Sequence, residues 1–96
     1  MLATYLIIYD LRNPGRDYIA LYEAIKSLSN DWQHPLTSTW FVSNVNVSSA
    51  NDIFERLKPL IDNNDNLFII NMKNAVDRQG WMPKSFWQWI IGRLGN

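Results

Sequence analysis

Cysteine is absent from this chain, which removes disulfide frameworks, thiolate zinc sites and thiol nucleophiles together. Surplus charge is absent too: nine basic side chains face nine acidic ones, for a formal net charge of zero. Nucleic-acid-binding domains ordinarily carry a basic excess, so any contact with phosphate has to come from a local cluster. No apolar run is long enough to span a bilayer. No basic segment followed by an apolar core and a small-residue cleavage site opens the sequence. A cytoplasmic protein with no membrane partner is the expectation, and the Asn46-Val47-Ser48 sequon is read as chance. Phosphate loops, dinucleotide fingerprints, zinc motifs and nucleophile elbows are also missing.

Aromatic surface, by contrast, is plentiful: five Trp, four Tyr and four Phe in 96 residues. A domain of this size buries roughly 60–65% of the surface that its unfolded chain exposes. So many rings exceed what a small core needs, and some are expected in a subunit interface. A homodimer is the expected assembly. Residues 1–96 read as a single domain, with no repeat or linker.

Residues 2–11 read as the first strand of a buried sheet, with the apolar run Leu6-Ile7-Ile8-Tyr9 ending in Asp10. Tyr18, Leu21, Tyr22, Ile25 and Leu28 recur at helical spacing behind Asp17, an expected N-cap. Trp32 to Leu36 predicts a short strand that Pro35 confines to an edge or a bulge. Thr37 to Val47 predicts a longer strand, with Thr39, Phe41, Ser43 and Val45 on one face and Ser38, Trp40, Val42 and Asn44 on the other. Ser49 and Asp52 resemble a capping box opening a second helix, whose stripe is Ala50, Ile53, Phe54, Leu57, Leu60 and Ile61. Pro59 should end it early. Asp62 to Asn66 is a polar turn, and Leu67 to Met72 predicts a fourth strand.

This order predicts a ferredoxin-like βαββαβ sandwich in the α+β class, a four-stranded antiparallel sheet with two helices on one face. Residues 74–96 form an aromatic tail, helix or strand, expected to pack on the open sheet face or at a dimer interface. Trp81, Phe86, Trp87 and Trp89 are its expected contact residues, since aromatics are enriched at interfaces; stacking on unpaired bases is the other use of such rings.

Asp10 is the strongest candidate for chemistry. A carboxylate at the end of an apolar strand is expected to be partly desolvated, and it then needs a pairing cation, hydrogen bonds or a metal. The ordinary alternative is that it caps the loop amides of Asn13 to Gly15. His34 is the lone histidine and could act as a general acid or base in phosphodiester cleavage; packing is its commoner use. Arg12 and Arg16 lie in the loop after the first strand and could meet phosphate.

Several segments together resemble small bacterial proteins labelled SinR-like. They are Thr4-Tyr5, Tyr9-Asp10-Leu11, Pro14-Gly15 with Asp17-Tyr18, Ile25 to Leu28, Trp32 with His34, Ser38-Thr39-Trp40, Leu57-Lys58-Pro59, the Asp62 to Leu67 turn and Trp89. Structurally the chain is similar to the small dimeric CRISPR adaptation subunit and to VapD-type toxin ribonucleases. That resemblance implies the ferredoxin-like order and a metal-binding Asp10 brought opposite its copy across a two-fold axis. It further implies Tyr9 as the aromatic residue preceding the acid, and Arg12 and Arg16 in a phosphate-contacting loop. Mg²⁺ or Mn²⁺ would relieve the repulsion between the two acids. Two functions follow as expectations: a metal-dependent endonuclease, chiefly on RNA with DNA as the other substrate, or a non-catalytic homodimeric scaffold that binds a protein partner.

Overall fold

The computed structural model describes residues 3–15 and 17–95. Four strands and three helices follow in the order β1 (Ala3–Asp10), α1 (Ile19–Lys26), β2 (Asp31–Leu36), β3 (Thr39–Val45), α2 (Ala50–Leu57), β4 (Asn66–Asn71) and α3 (Lys84–Leu94). The strands form one antiparallel sheet in the order β2-β3-β1-β4. This is a small α+β domain.

Parity along β1 builds the core. Tyr5, Ile7 and Tyr9 point to one side and are buried with Trp40, Val42 and Val45 of β3. Leu21 and Ile25 of α1, and Ile53 and Leu57 of α2, each an i, i+4 pair, close the same cluster. Each fully buried aliphatic side chain here contributes about 1.5–3 kcal/mol. Pro59 ends α2 as expected, converting Lys58–Leu60 to a 3-10 turn.

Local details depart from the sequence reading. The first helix begins two residues after Asp17, whose Oδ1 accepts the Ile19 N–H at 2.9 Å. Asp52 accepts from the Ser48 N–H at 2.8 Å, one residue outside the expected capping-box partner. A bulge where Asn44 takes a positive φ of 58° shifts the β1–β3 register between Ala3 and Tyr5. The extra residue turns Val45 into the core, onto the side of Val42 and away from Phe41.

The other sheet face carries Leu6 and Ile8 from β1, Phe41 from β3, and Ile70 and Phe68 from β4. Leu6 stands opposite both Phe41 and Ile70, and Ile8 opposite Phe68. The aromatic segment is a helix, α3, and it lies on this face. Phe86 meets Phe41 edge-on at 5.2 Å between ring centroids, and Phe86 and Ile90, one helical turn apart, are its buried residues. Gly95, at φ 82°, ends it with its N–H on the Ile91 carbonyl.

Candidate functional site

Asp10 ends β1 on the α3 face of the sheet, and its side chain is 63% exposed. The expected partial desolvation is therefore corrected, because strand alternation sends this acid away from the core. Its Oδ2 accepts from Arg12 Nε at 3.1 Å and Nη2 at 2.9 Å. The loop-capping role belongs to another acid. Arg12 N–H donates to Asp65 Oδ1 at 2.7 Å.

Asp65 is the residue that sequence reading passed over as part of a turn. It is buried and takes the Tyr18 hydroxyl at 3.0 and 2.9 Å, the Asp62 N–H at 2.8 Å and Asn13 Nδ2 at 3.3 Å. This one carboxylate ties the loop after β1 to the turn before β4. Burial, followed by the neighbouring carboxylates, pushes the Tyr18 hydroxyl above its ordinary pKa, with Asn13 opposing. The only sequence signal for Asp65 is a carboxylate just ahead of a strand, which any polar turn supplies.

Tyr9 and His34 do not join Asp10. Adjacent residues of a strand face opposite ways, so Tyr9 points into the core while Asp10 points out. The Tyr9 hydroxyl accepts from Trp40 Nε1 at 2.9 Å and donates to the Thr37 carbonyl at 3.3 Å. Burial raises its pKa, against the Trp40 hydrogen bond. His34 stacks on Trp40 at 3.8 Å between ring centroids, with 13° between planes, and its Nε2 lies 3.1 Å from the same Thr37 oxygen. Tyr9, His34 and Trp40 thus form a hairpin-closing cluster on the α1–α2 side of the sheet, across from Asp10. Arg12 is engaged by Asp10, and Arg16 lies outside the described residues.

The four tail aromatics separate. Phe86 is buried within the chain, correcting its expected place in a dimer interface, and Trp87 packs against it at 5.9 Å. Trp89 Nε1 donates to Asp31 Oδ1 at 2.9 Å. Arg93 joins the same carboxylate with Nη2 at 2.7 Å and Nε at 3.0 Å, while its guanidinium lies 4.6 Å from the Trp89 ring. Asn44 Nδ2 completes the clasp at 2.7 Å. Arg93 foremost, then Trp89 and Asn44, hold the Asp31 carboxyl below its ordinary pKa, partly opposed by burial. Trp81 alone is fully exposed.

Beside the clasp, an open groove of about 870 Å³ lies among Thr4, Ser43, Asn44, Lys73 and Arg93. Thr4 and Ser43 at its floor satisfy each other at 2.7 Å. Among the described residues no group of three or more His, Asp or Glu side chains could hold a metal ion. One chain offers Mg²⁺ or Mn²⁺ a single carboxylate already holding a guanidinium, which does not make a site for a hard cation that prefers six oxygens.

The feature of the sheet left bare is apolar. α3 covers Phe41, yet Ile8, Phe68 and Ile70 stay 36%, 61% and 42% exposed, with half-buried Leu6 between them. These four side chains adjoin across paired strands, a contiguous patch of the kind that marks an interaction surface. No helix among the described residues is long and apolar enough to cross a membrane. The chain matches no family model and no curated protein.

Proposed function

We propose that this protein is a homodimeric interaction module with a ferredoxin-like fold, related to the SinR-like group and built as a scaffold without catalysis of its own. The carrying observation is the bare patch of Leu6, Ile8, Phe68 and Ile70 on the β1–β4 half of the sheet. The strand order β2-β3-β1-β4 supports the ferredoxin-like assignment. A second copy is the fitting occupant because the patch is apolar and uncharged, and an isologous contact buries the same surface on both chains. The Asp10–Arg12 ion pair at its end can then be exchanged between copies.

Light scattering tests this. Wild type is expected above the chain mass. Ile8→Lys, which places a charge in the patch without entering the core, is expected to lose association through this face, with its circular dichroism unchanged and the dissociation constant of the face contact raised about 100-fold or more. Association of Ile8→Lys that equals wild type in both mass and affinity overturns the reading.

A second reading, a metal-dependent endoribonuclease, draws support from one observation: Asp10 is exposed and lies on the same sheet face as the patch. Face-to-face pairing would bring the acids of both copies to one interface, and only there could Mg²⁺ or Mn²⁺ find two carboxylates. Labelled RNA and DNA incubated with and without Mn²⁺, using wild type and dimeric Asp10→Ala, decide it. Metal-dependent cleavage lost in Asp10→Ala supports the second reading; equal cleavage in both, or none in either, sinks it.

A further inference from the structure

The two edges of the sheet are built differently. β2 carries Pro35 and loses register between Gln33 and Leu36; proline and irregularity are the usual devices that keep an edge from pairing. β4 has none of them. Its sequence, Asn66-Leu67-Phe68-Ile69-Ile70-Asn71, has no proline and no charge, and its pairing with β1 runs without a break.

The open side of β4 can be assigned residue by residue. Met72 N–H donates to the Thr4 carbonyl at 2.9 Å, and Tyr5 stands opposite Asn71. Antiparallel ladders alternate hydrogen-bonded and non-hydrogen-bonded pairs, so Ile70 and Phe68 spend their backbone groups on Leu6 and Ile8. The N–H and C=O groups of Leu67, Ile69 and Asn71 point outward, and none of those three amides has a partner among the described residues.

We propose that β4 pairs antiparallel with β4 of a second copy, centred on Ile69, to give one continuous eight-stranded sheet. Only this register lets all three outward residues hydrogen-bond, Ile69 with Ile69 and Leu67 with Asn71 of the second copy. It also sets Phe68 against Ile70 of the second copy on the outer face, an apolar pair of the kind that stabilises a ladder.

Charge selects a copy of this chain as the occupant. Lys73 follows one end of β4, and the Asp62–Asp65 turn precedes the other. Two-fold antiparallel pairing lays each Lys73 near that turn of the other copy, twice per dimer, where the attraction acts through space because the turn's carboxylates are already engaged within their own chain. On the helix side, a hollow of about 420 Å³ lined by Phe54, Lys58, Ile61 and Leu67 borders the strand and leaves room for an approaching side chain.

This edge contact stands apart from the face contact proposed above, and both together close a tetramer with two kinds of two-fold axis. The test combines amide exchange followed by NMR with light scattering on wild type, Ile8→Lys and Lys73→Glu. In Ile8→Lys, where the face contact is removed, the amides of Leu67, Ile69 and Asn71 are expected to become protected as concentration rises, in step with dimer mass. Lys73→Glu is expected to raise the edge dissociation constant about tenfold and to leave the fold intact, because Lys73 is exposed. Fast exchange of those three amides at every concentration, or protection unchanged in Lys73→Glu, overturns the edge pairing. Loss of all association in Ile8→Lys likewise overturns the edge pairing, whereas an unchanged mass with the three amides protected supports the edge pairing and counts against the face contact.

Discussion

Asp65→Ala is expected to lose about 3 kcal/mol or more of stability, the largest single effect among the polar side chains. In the folded chain this carboxylate accepts from the Arg12 and Asp62 amides at 2.7 and 2.8 Å and from the Tyr18 hydroxyl at 2.9 Å. Alanine leaves a buried phenol and two loop amides without their acceptor, and each orphaned donor costs about 1–3 kcal/mol. For a domain of this size the melting temperature should fall by roughly 12–24 °C. Asp65→Asn keeps one acceptor oxygen and should lose about half as much. Tyr18→Phe removes only the phenol contact, at about 1 kcal/mol. Urea titrations of Asp65→Ala, Tyr18→Phe and their double show whether the losses share one network; an Asp65→Ala loss below about 1 kcal/mol refutes the lock.

The second large effect is pH-dependent and concerns the docking of α3. Arg93, Trp89 and Asn44 converge on Asp31 and depress its carboxyl pKa in the folded chain below the ordinary value of 3.8. A group with a depressed folded pKa contributes stability that is complete above its unfolded pKa and is lost as pH falls through the folded one. The clasp is therefore intact at neutrality and is lost progressively below about pH 4. Asp31→Ala should cost about 2 kcal/mol at pH 7, where charged hydrogen bonds are removed from a half-buried site. The difference between wild type and the variant should shrink as acid is added. Trp fluorescence and urea titration at pH 7 and pH 3 measure this, and a gap that stays constant with pH contradicts the clasp.

The two networks have one origin. Each is a carboxylate next to a strand end, serving a partner distant in sequence: Asp65 reaches back to Arg12 and Tyr18, and Asp31 reaches forward to Trp89 and Arg93. Asp10 also ends a strand, but its ion partner is Arg12, two residues along. An acid used locally and an acid used at long range look alike in a sequence. Burial, which separates them, depends on which loops the fold brings together. Tyr9 and Asp10 carry the same lesson in smaller form: adjacent in sequence and suggestive as a pair, they are divided by the pleat of the sheet.

From the sequence alone, period and punctuation determined most of the architecture. Four strands and two core helices are legible because alternation and i, i+4 spacing are local, and Pro35 and Pro59 act on their own backbone wherever the chain folds. The aromatic excess announced that rings would have to find cover beyond a minimal core. Tertiary structure decided which rings and which acids. Phe86 meets Phe41 of β3 and Trp89 binds Asp31 of β2, while Trp81, ahead of α3, is exposed. A bulge at Asn44 reversed the side of Val45, which no strict alternation could foresee. Asp65, and not Asp10, holds the loop after β1, since a carboxylate binds the donors that folding places within about 3 Å of it, whatever lies beside it along the chain.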